Sequence, residues 1–177
     1  MTPDLQQDFF ALFGLPRRFR IEEAALEAAY HELHTRVHPD RHAHLPDADR
    51  RRAMQWATRV NEAFRTLKSP LARARYLIEL AGIDLGFETN TAMSPAFLME
   101  QMEWREAVEE AESAADASEL EHLHQRLRAH TRELLGELER QIDDQQAFAE
   151  AADTARRLMF LDKLRHEIDD ALEALDN

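Results

Sequence analysis

The chain contains no cysteine. Disulfides, thiolate metal sites and cysteine nucleophiles are therefore excluded, and the natural expectation is a reducing compartment. Glycine and proline are scarce, at four and six in 177 residues, which leaves little material for β-turns. No apolar run approaches the roughly 18 residues that a membrane span needs. The opening Met1-Thr2-Pro3-Asp4 has neither a basic signal-type region nor an Arg- and Ser-rich transit pattern. Together these absences lead to an expectation of a cytoplasmic protein.

Hydrophobic residues make up 44% of the chain and charged residues 32%, a balance that suits packed, amphipathic helices. The net charge of −13 is unevenly placed. Residues 1–83 hold 13 Lys+Arg and 11 Asp+Glu, whereas residues 84–177 hold 9 and 24. The second half repels nucleic acid and anionic membrane, so neither is expected as a partner; its charge either steers toward a basic protein surface or, as is commoner, simply solvates the helical faces.

Residues 4–13 read as a short helix with Phe9, Phe10, Leu12 and Phe13, stopped at Gly14. In 21–37, Leu26, Ala29, Tyr30, Leu33 and Val37 form one stripe at helical spacing. A third helix spans 47–68, with Asp47 or Asp49 as its cap and Ala53, Ala57, Val60, Phe64 and Leu67 facing inward. Ser69-Pro70 ends it or starts the next, which covers 71–81 and closes at Gly82. The second and third helices pack antiparallel.

Between them stands His38-Pro39-Asp40. Pro39 lacks an N–H and disfavours helical geometry at His38, so the second helix stops there and the tripeptide sits at the tip of a hairpin. With Val60-Asn61-Glu62-Ala63-Phe64, Leu67, Ser69-Pro70, Arg73 and Tyr76 downstream, and Phe9 to Leu15 upstream, residues 1–82 resemble a J domain, the module with which DnaJ-type co-chaperones engage DnaK-type partners. The resemblance implies chaperone contacts at His38, Pro39, Asp40, His34, Arg36 and Arg41. The docking face of such a helix is usually basic. Here His31 and His34 stand where lysines are usual, with Glu23, Glu27 and Glu32 nearby, so docking is expected to tighten between about pH 7.5 and 6.

Residues 83–94 (IDLGFETNTAMS) read as a linker, packed through Ile83, Leu85 and Phe87. Three helical runs follow at 95–114, 117–144 and 147–175. Leu120, Leu123, Leu127, Leu134 and Leu138 line the middle one, and Leu161, Leu164, Ile168, Leu172 and Leu175 the last. Short connections make the neighbours antiparallel and give a three-helix bundle over 95–177.

The helix at 95–114 has two apolar faces. At about 100° per residue, Phe97, Trp104, Val108 and Ala111 share one sector. Leu98, Met99 and Met102 lie opposite, continued by Glu103, Glu106 and Glu110. That second patch either packs on the linker or first domain, or binds a partner; methionine suits adaptable surfaces.

Phe97 to Glu103 with Arg105-Glu106, and Ala151 to Thr154 followed by Arg157-Leu158 and Phe160 to Arg165, resemble the HscB-like iron–sulfur co-chaperones from end to end. The resemblance implies an all-α protein, an N-terminal J domain joined to a C-terminal three-helix bundle. It implies an IscU-like scaffold held by Leu98, Met99, Met102 and Phe160, flanked by Glu103, Glu106 and Glu110. The J domain would stimulate the ATPase of an HscA/DnaK-type chaperone, and the chain itself would catalyse nothing and hold no cofactor. Met102 replaces a common leucine, a volume-conserving change. A plain helical adaptor with a J-like hairpin and no ATPase stimulation is the alternative. A metal site on His34, His38, His42 and His44 is disfavoured because Pro39 breaks the helical ladder, and neither a Glu-x-x-His nor a His-Glu-x-x-His pairing is expected on a helix.

Overall fold

The computed structural model describes residues 7–37, 46–86 and 94–176, and among them every regular element is helical. The elements are α1 (Phe9–Leu12), α2 (Glu23–Val37), α3 (Asp47–Lys68), α4 (Pro70–Leu80), α5 (Pro95–Ser113), α6 (Ala117–Glu139), a π-helical turn (Arg140–Asp144) and α7 (Phe148–Asp176). The chain divides into two compact units, Met1–Leu77 and Ile78–Asn177, so the division falls inside α4.

In the first unit, α3 is the central helix, packed by α1 and α2. Phe10, Val60, Ala63 and Leu67 are fully buried, with Leu26 and Trp56 close behind. Withdrawing each large side chain from water contributes about 1.5–3 kcal/mol. Tyr30 joins α2 to α3: its ring stacks on Phe64 at 4.0 Å, and its hydroxyl donates to Asn61 Oδ1 at 3.0 Å. Tyr76 of α4 stacks on Phe9 at 4.4 Å, and its hydroxyl oxygen accepts the Phe9 N–H at 3.1 Å. Arg73 is buried yet served, donating to the Leu67 carbonyl at 2.6 Å with its guanidinium 5.1 Å from the Phe19 ring.

Three local expectations fail here, each for a physical reason. The first helix starts at Phe9 and does not reach back through Asp8, which is extended and caps it, accepting from the Phe10 and Ala11 N–H groups at 2.9 and 3.0 Å; residues 4–6 of the expected 4–13 lie outside the described residues. Gly14, at φ +65°, ends it in a left-handed conformation that a side chain would resist. Neither Asp47 nor Asp49 caps α3. Pro46 holds that position with no side-chain cap; Asp47 instead pairs with Arg50 and Asp49 with Arg52. Trp56 and Ala63 belong to the core, though the sequence pattern did not select them.

The second unit is a three-helix bundle in which α5, α6 and α7 each contact the other two. Leu120, Leu123, Leu127, Leu134 and Leu138 of α6 are all buried, as are Leu161, Leu164 and Ile168 of α7. The expected stripe frays at its end: Leu172 is only half-buried and Leu175 is 40% exposed. The middle helix is not uniformly α-helical to 144. Its last five residues widen into a π turn that buries Gln141 and Ile142, and the Gln141 carbonyl accepts the Ala147 N–H at 2.8 Å. No described helix is long and apolar enough to cross a membrane.

Candidate functional site

Ser94 starts α5. Its side chain accepts the Phe97 N–H at 3.2 Å, and Pro95 occupies the first helical position, where its missing N–H costs nothing. This phasing sends Phe97, Trp104, Val108 and Ala111 into the bundle, all buried. The opposite sector, about 140° wide, carries Leu98, Met99, Met102, Glu103, Glu106 and Glu110, all exposed. Leu98, Met99 and Met102 stand 46%, 62% and 69% exposed. Isolated exposed apolar residues are ordinary, but three within one turn and a half of helix, bordered by carboxylates, form a patch.

Phe160 comes from α7 and is half-buried. Its ring meets Phe97 edge-on, with centroids 6.1 Å apart and planes at 88°, which ties it to α5. Two cations unassigned by the sequence reading flank these rings: Arg105 lies 5.9 Å from the Phe160 centroid and Arg157 5.7 Å from that of Phe97. Glu100, on the same helix, meets His130 Nε2 of α6 at 2.9 Å, and His130 Nδ1 lies 3.5 Å from Glu133. That cross-helix contact fixes α5 against α6. Its partners are 30 residues apart, so no local spacing could announce it.

Of the expected chaperone-facing residues, His34 and Arg36 lie in the last turn of α2. The His34 ring centroid is 5.4 Å from that of Tyr30, and exposed Arg36 makes an i,i+4 pair with Glu32 at 3.7 Å. Such an exposed pair contributes little and exchanges readily for another anion. His38, Pro39, Asp40 and Arg41 lie outside the described residues, as do His42 and His44. Arg50, Arg51 and Arg52 are exposed on α3, the first and third of them neutralised by aspartates.

Among the described residues no group of three His, Cys, Asp or Glu side chains is placed to hold a metal ion. Glu119 and His122 do stand at Glu-x-x-His spacing on α6, 3.6 Å apart, but they form a lone exposed pair.

The C-terminal unit matches the family model described as the HSCB C-terminal oligomerisation domain over residues 93–169. A relative from Aromatoleum aromaticum, named co-chaperone protein HscB homolog, is 69% identical across 99% of both chains. The structure of chaperone HscB from Vibrio cholerae is 37% identical and superposes with a TM-score of 0.84, covering 96% of this chain and 99% of the other. Human co-chaperone HscB is 30% identical with a TM-score of 0.87, over 96% of this chain and 84% of its own. In fold this is an N-terminal J domain followed by a C-terminal helical domain. With identity of this extent along the whole length, the chain belongs to the HscB co-chaperone family.

Proposed function

We propose that this protein is a co-chaperone of iron–sulfur cluster assembly with one partner for each domain. The C-terminal bundle holds an IscU-like scaffold through Leu98, Met99, Met102 and Phe160. Glu103, Glu106 and Glu110 pair with basic groups on the scaffold's rim. The J domain engages an HscA/DnaK-type chaperone through His38, Pro39 and Asp40, assisted by His34, Arg36 and Arg41, and stimulates its ATPase. The chain supplies contacts rather than chemistry, and it needs no cofactor of its own. The working limits are 1–82 for the J domain, 83–94 for the linker and 95–177 for the scaffold-binding domain.

The observation that carries this reading is the exposure of Leu98, Met99 and Met102 on a helix whose other face is fully committed to the bundle core. Side chains so exposed add little to the bundle core, and the acidic border of the patch matches the excess of 24 Asp+Glu over 9 Lys+Arg in residues 84–177. Opposite charge on the partner speeds encounter and fixes register.

The decisive test is the ATPase rate of a DnaK-type chaperone measured with this protein and an IscU-like scaffold, singly and together. Stimulation by the protein, amplified by the scaffold, is expected. A rate unchanged by the wild-type protein would leave only a helical adaptor.

A further inference from the structure

Within an acidic domain, one face of the bundle gathers guanidinium groups. A cleft of about 600 Å³ opens between α6 and α7, lined by Gln125, Leu127, Arg128, Thr131, Arg132 and Arg165. Its volume lies in the range of roughly 300–1,000 Å³ usual for small-molecule sites, and its lining combines an apolar side chain with several hydrogen-bond donors.

Most other arginines of this domain are occupied, exposed Arg140 aside. Arg105, Arg126 and Arg157 lie over the rings of Phe160, Trp104 and Phe97, and Arg156 pairs with Asp153 at 2.5 Å. Arg128 and Arg132 differ: among the described residues neither forms an ion pair or lies over a ring. They stand four apart on one helix, a spacing at which like charges repel. Across the cleft, Arg165 is held by Asp169 at 3.0 Å and Asp162 at 3.2 Å, and His124 also approaches Asp169, at 3.5 Å. The two aspartates neutralise Arg165 and hold it in place. With one aspartate in excess over Arg165, the five charged groups sum to +1, and the guanidinium groups left to face a ligand are those of Arg128 and Arg132, with the Thr131 hydroxyl and the Gln125 amide as further donors.

Guanidinium forks match the paired oxygens of carboxylate and phosphoryl groups, and a ligand carrying two such groups relieves the repulsion between Arg128 and Arg132. We infer that the α6–α7 cleft binds a small polyanion bearing phosphoryl or carboxylate groups, at a site distinct from the exposed patch on α5.

The test is a calorimetric and NMR titration of the full chain at low salt with pyrophosphate and, separately, with citrate, using sulfate as the control anion. Saturable one-to-one binding of pyrophosphate or citrate is expected, with amide shifts centred on residues 125–132 and 165. The stronger of the two ligands assigns phosphoryl or carboxylate chemistry. R128Q with R132Q should weaken binding at least tenfold, while R140Q, which removes an exposed arginine elsewhere, should leave it within twofold. R132K, which keeps the charge and loses the fork, should weaken it several-fold and serves if the double variant does not fold. Four results would overturn the inference: no saturable binding, equal binding of sulfate (an adventitious ion only), binding indifferent to these substitutions, or a hexaglutamate peptide binding at least tenfold more tightly than either small anion. The last would assign the cleft to an acidic polypeptide.

Discussion

Replacing Leu98, Met99 and Met102 together by alanine separates docking from folding. In the free protein these side chains keep 46%, 62% and 69% of their surface in water. Burying a whole Leu or Met side chain contributes about 1.5–3 kcal/mol. Scaled by the exposed fractions, full coverage by a partner yields about 3–5 kcal/mol for the three. Ordering the side chains on binding offsets part of this, at about 0.5–1.5 kcal/mol for each flexible one. A net loss of about 1 kcal/mol remains at central values, and about 3 kcal/mol where ordering costs least, so scaffold affinity measured by calorimetry should fall about five- to a hundredfold. The fold should hardly notice. Alanine is at least as good a helix former as leucine or methionine, and the truncated atoms are largely hydrated already. Melting should drop by no more than about 5 °C. Trp104→Ala, on the buried face of the same helix, provides the contrast: it should cost about 3–5 kcal/mol and lower melting by about 10 °C or more. A triple variant that binds the scaffold within threefold of wild type would refute the docking assignment. One that melts like Trp104→Ala would show that the patch is core after all.

Three further outcomes are expected. His38→Gln or Asp40→Asn should abolish stimulation of the chaperone ATPase while scaffold affinity stays unchanged; retained stimulation by either would remove the tripeptide from the contact. Changing Glu103, Glu106 and Glu110 to glutamine should slow scaffold association and flatten its dependence on salt, since rim charges act mainly through encounter, and stopped-flow rates between about 0.05 and 0.3 M salt read this directly. Asp8 gives a pH signature in the first unit. Burial opposes its charge, but the Ala11 and Phe10 N–H groups and Arg17 outweigh it and hold its carboxyl below the usual range. Its contribution is therefore complete above the unfolded value of about 3.9 and is lost as pH falls through the lower folded one. Asp8→Ala should cost about 1 kcal/mol at pH 7, with the difference from wild type closing at the acid end of a denaturation series; a gap independent of pH would contradict the cap.

The bundle was legible because its leucines keep helical spacing over several turns, and all five on α6 are buried as that spacing requires. Leu175 obeys the same period yet is exposed, since periodicity says nothing about where neighbouring helices stop covering a long one. The π turn at Arg140–Asp144 was hidden for a related reason: Ile142 continues the apolar pattern whether the turn is α or π. The start of α3 misled because two aspartates in the first turn look like caps, whereas side chains three residues along, Arg50 and Arg52, claim them as ion partners. The two faces of α5 could be separated in the sequence because residues step about 100° around a helix, which puts core and patch on opposite sides. What no pattern revealed is contact between distant segments: the Glu100–His130 clasp and the cations over Phe97 and Phe160 exist only once the helices are packed.

The acidic border also explains how an exposed methionine and leucine patch can be tolerated. Alone, such a patch would adhere to any apolar surface, because the hydrophobic effect has no direction. Glu103, Glu106 and Glu110 change the balance. Any protein that covers the patch must also dehydrate part of these carboxylates, and each costs free energy unless the incoming surface supplies a cation or donor at that place. A neutral or acidic surface therefore gains the apolar contact and loses more on the border, whereas a surface with basic groups around an apolar centre gains both. Selectivity then resides in the carboxylates and affinity in the apolar side chains. The glutamine variant should accordingly bind unrelated apolar proteins more readily while docking its own partner more slowly.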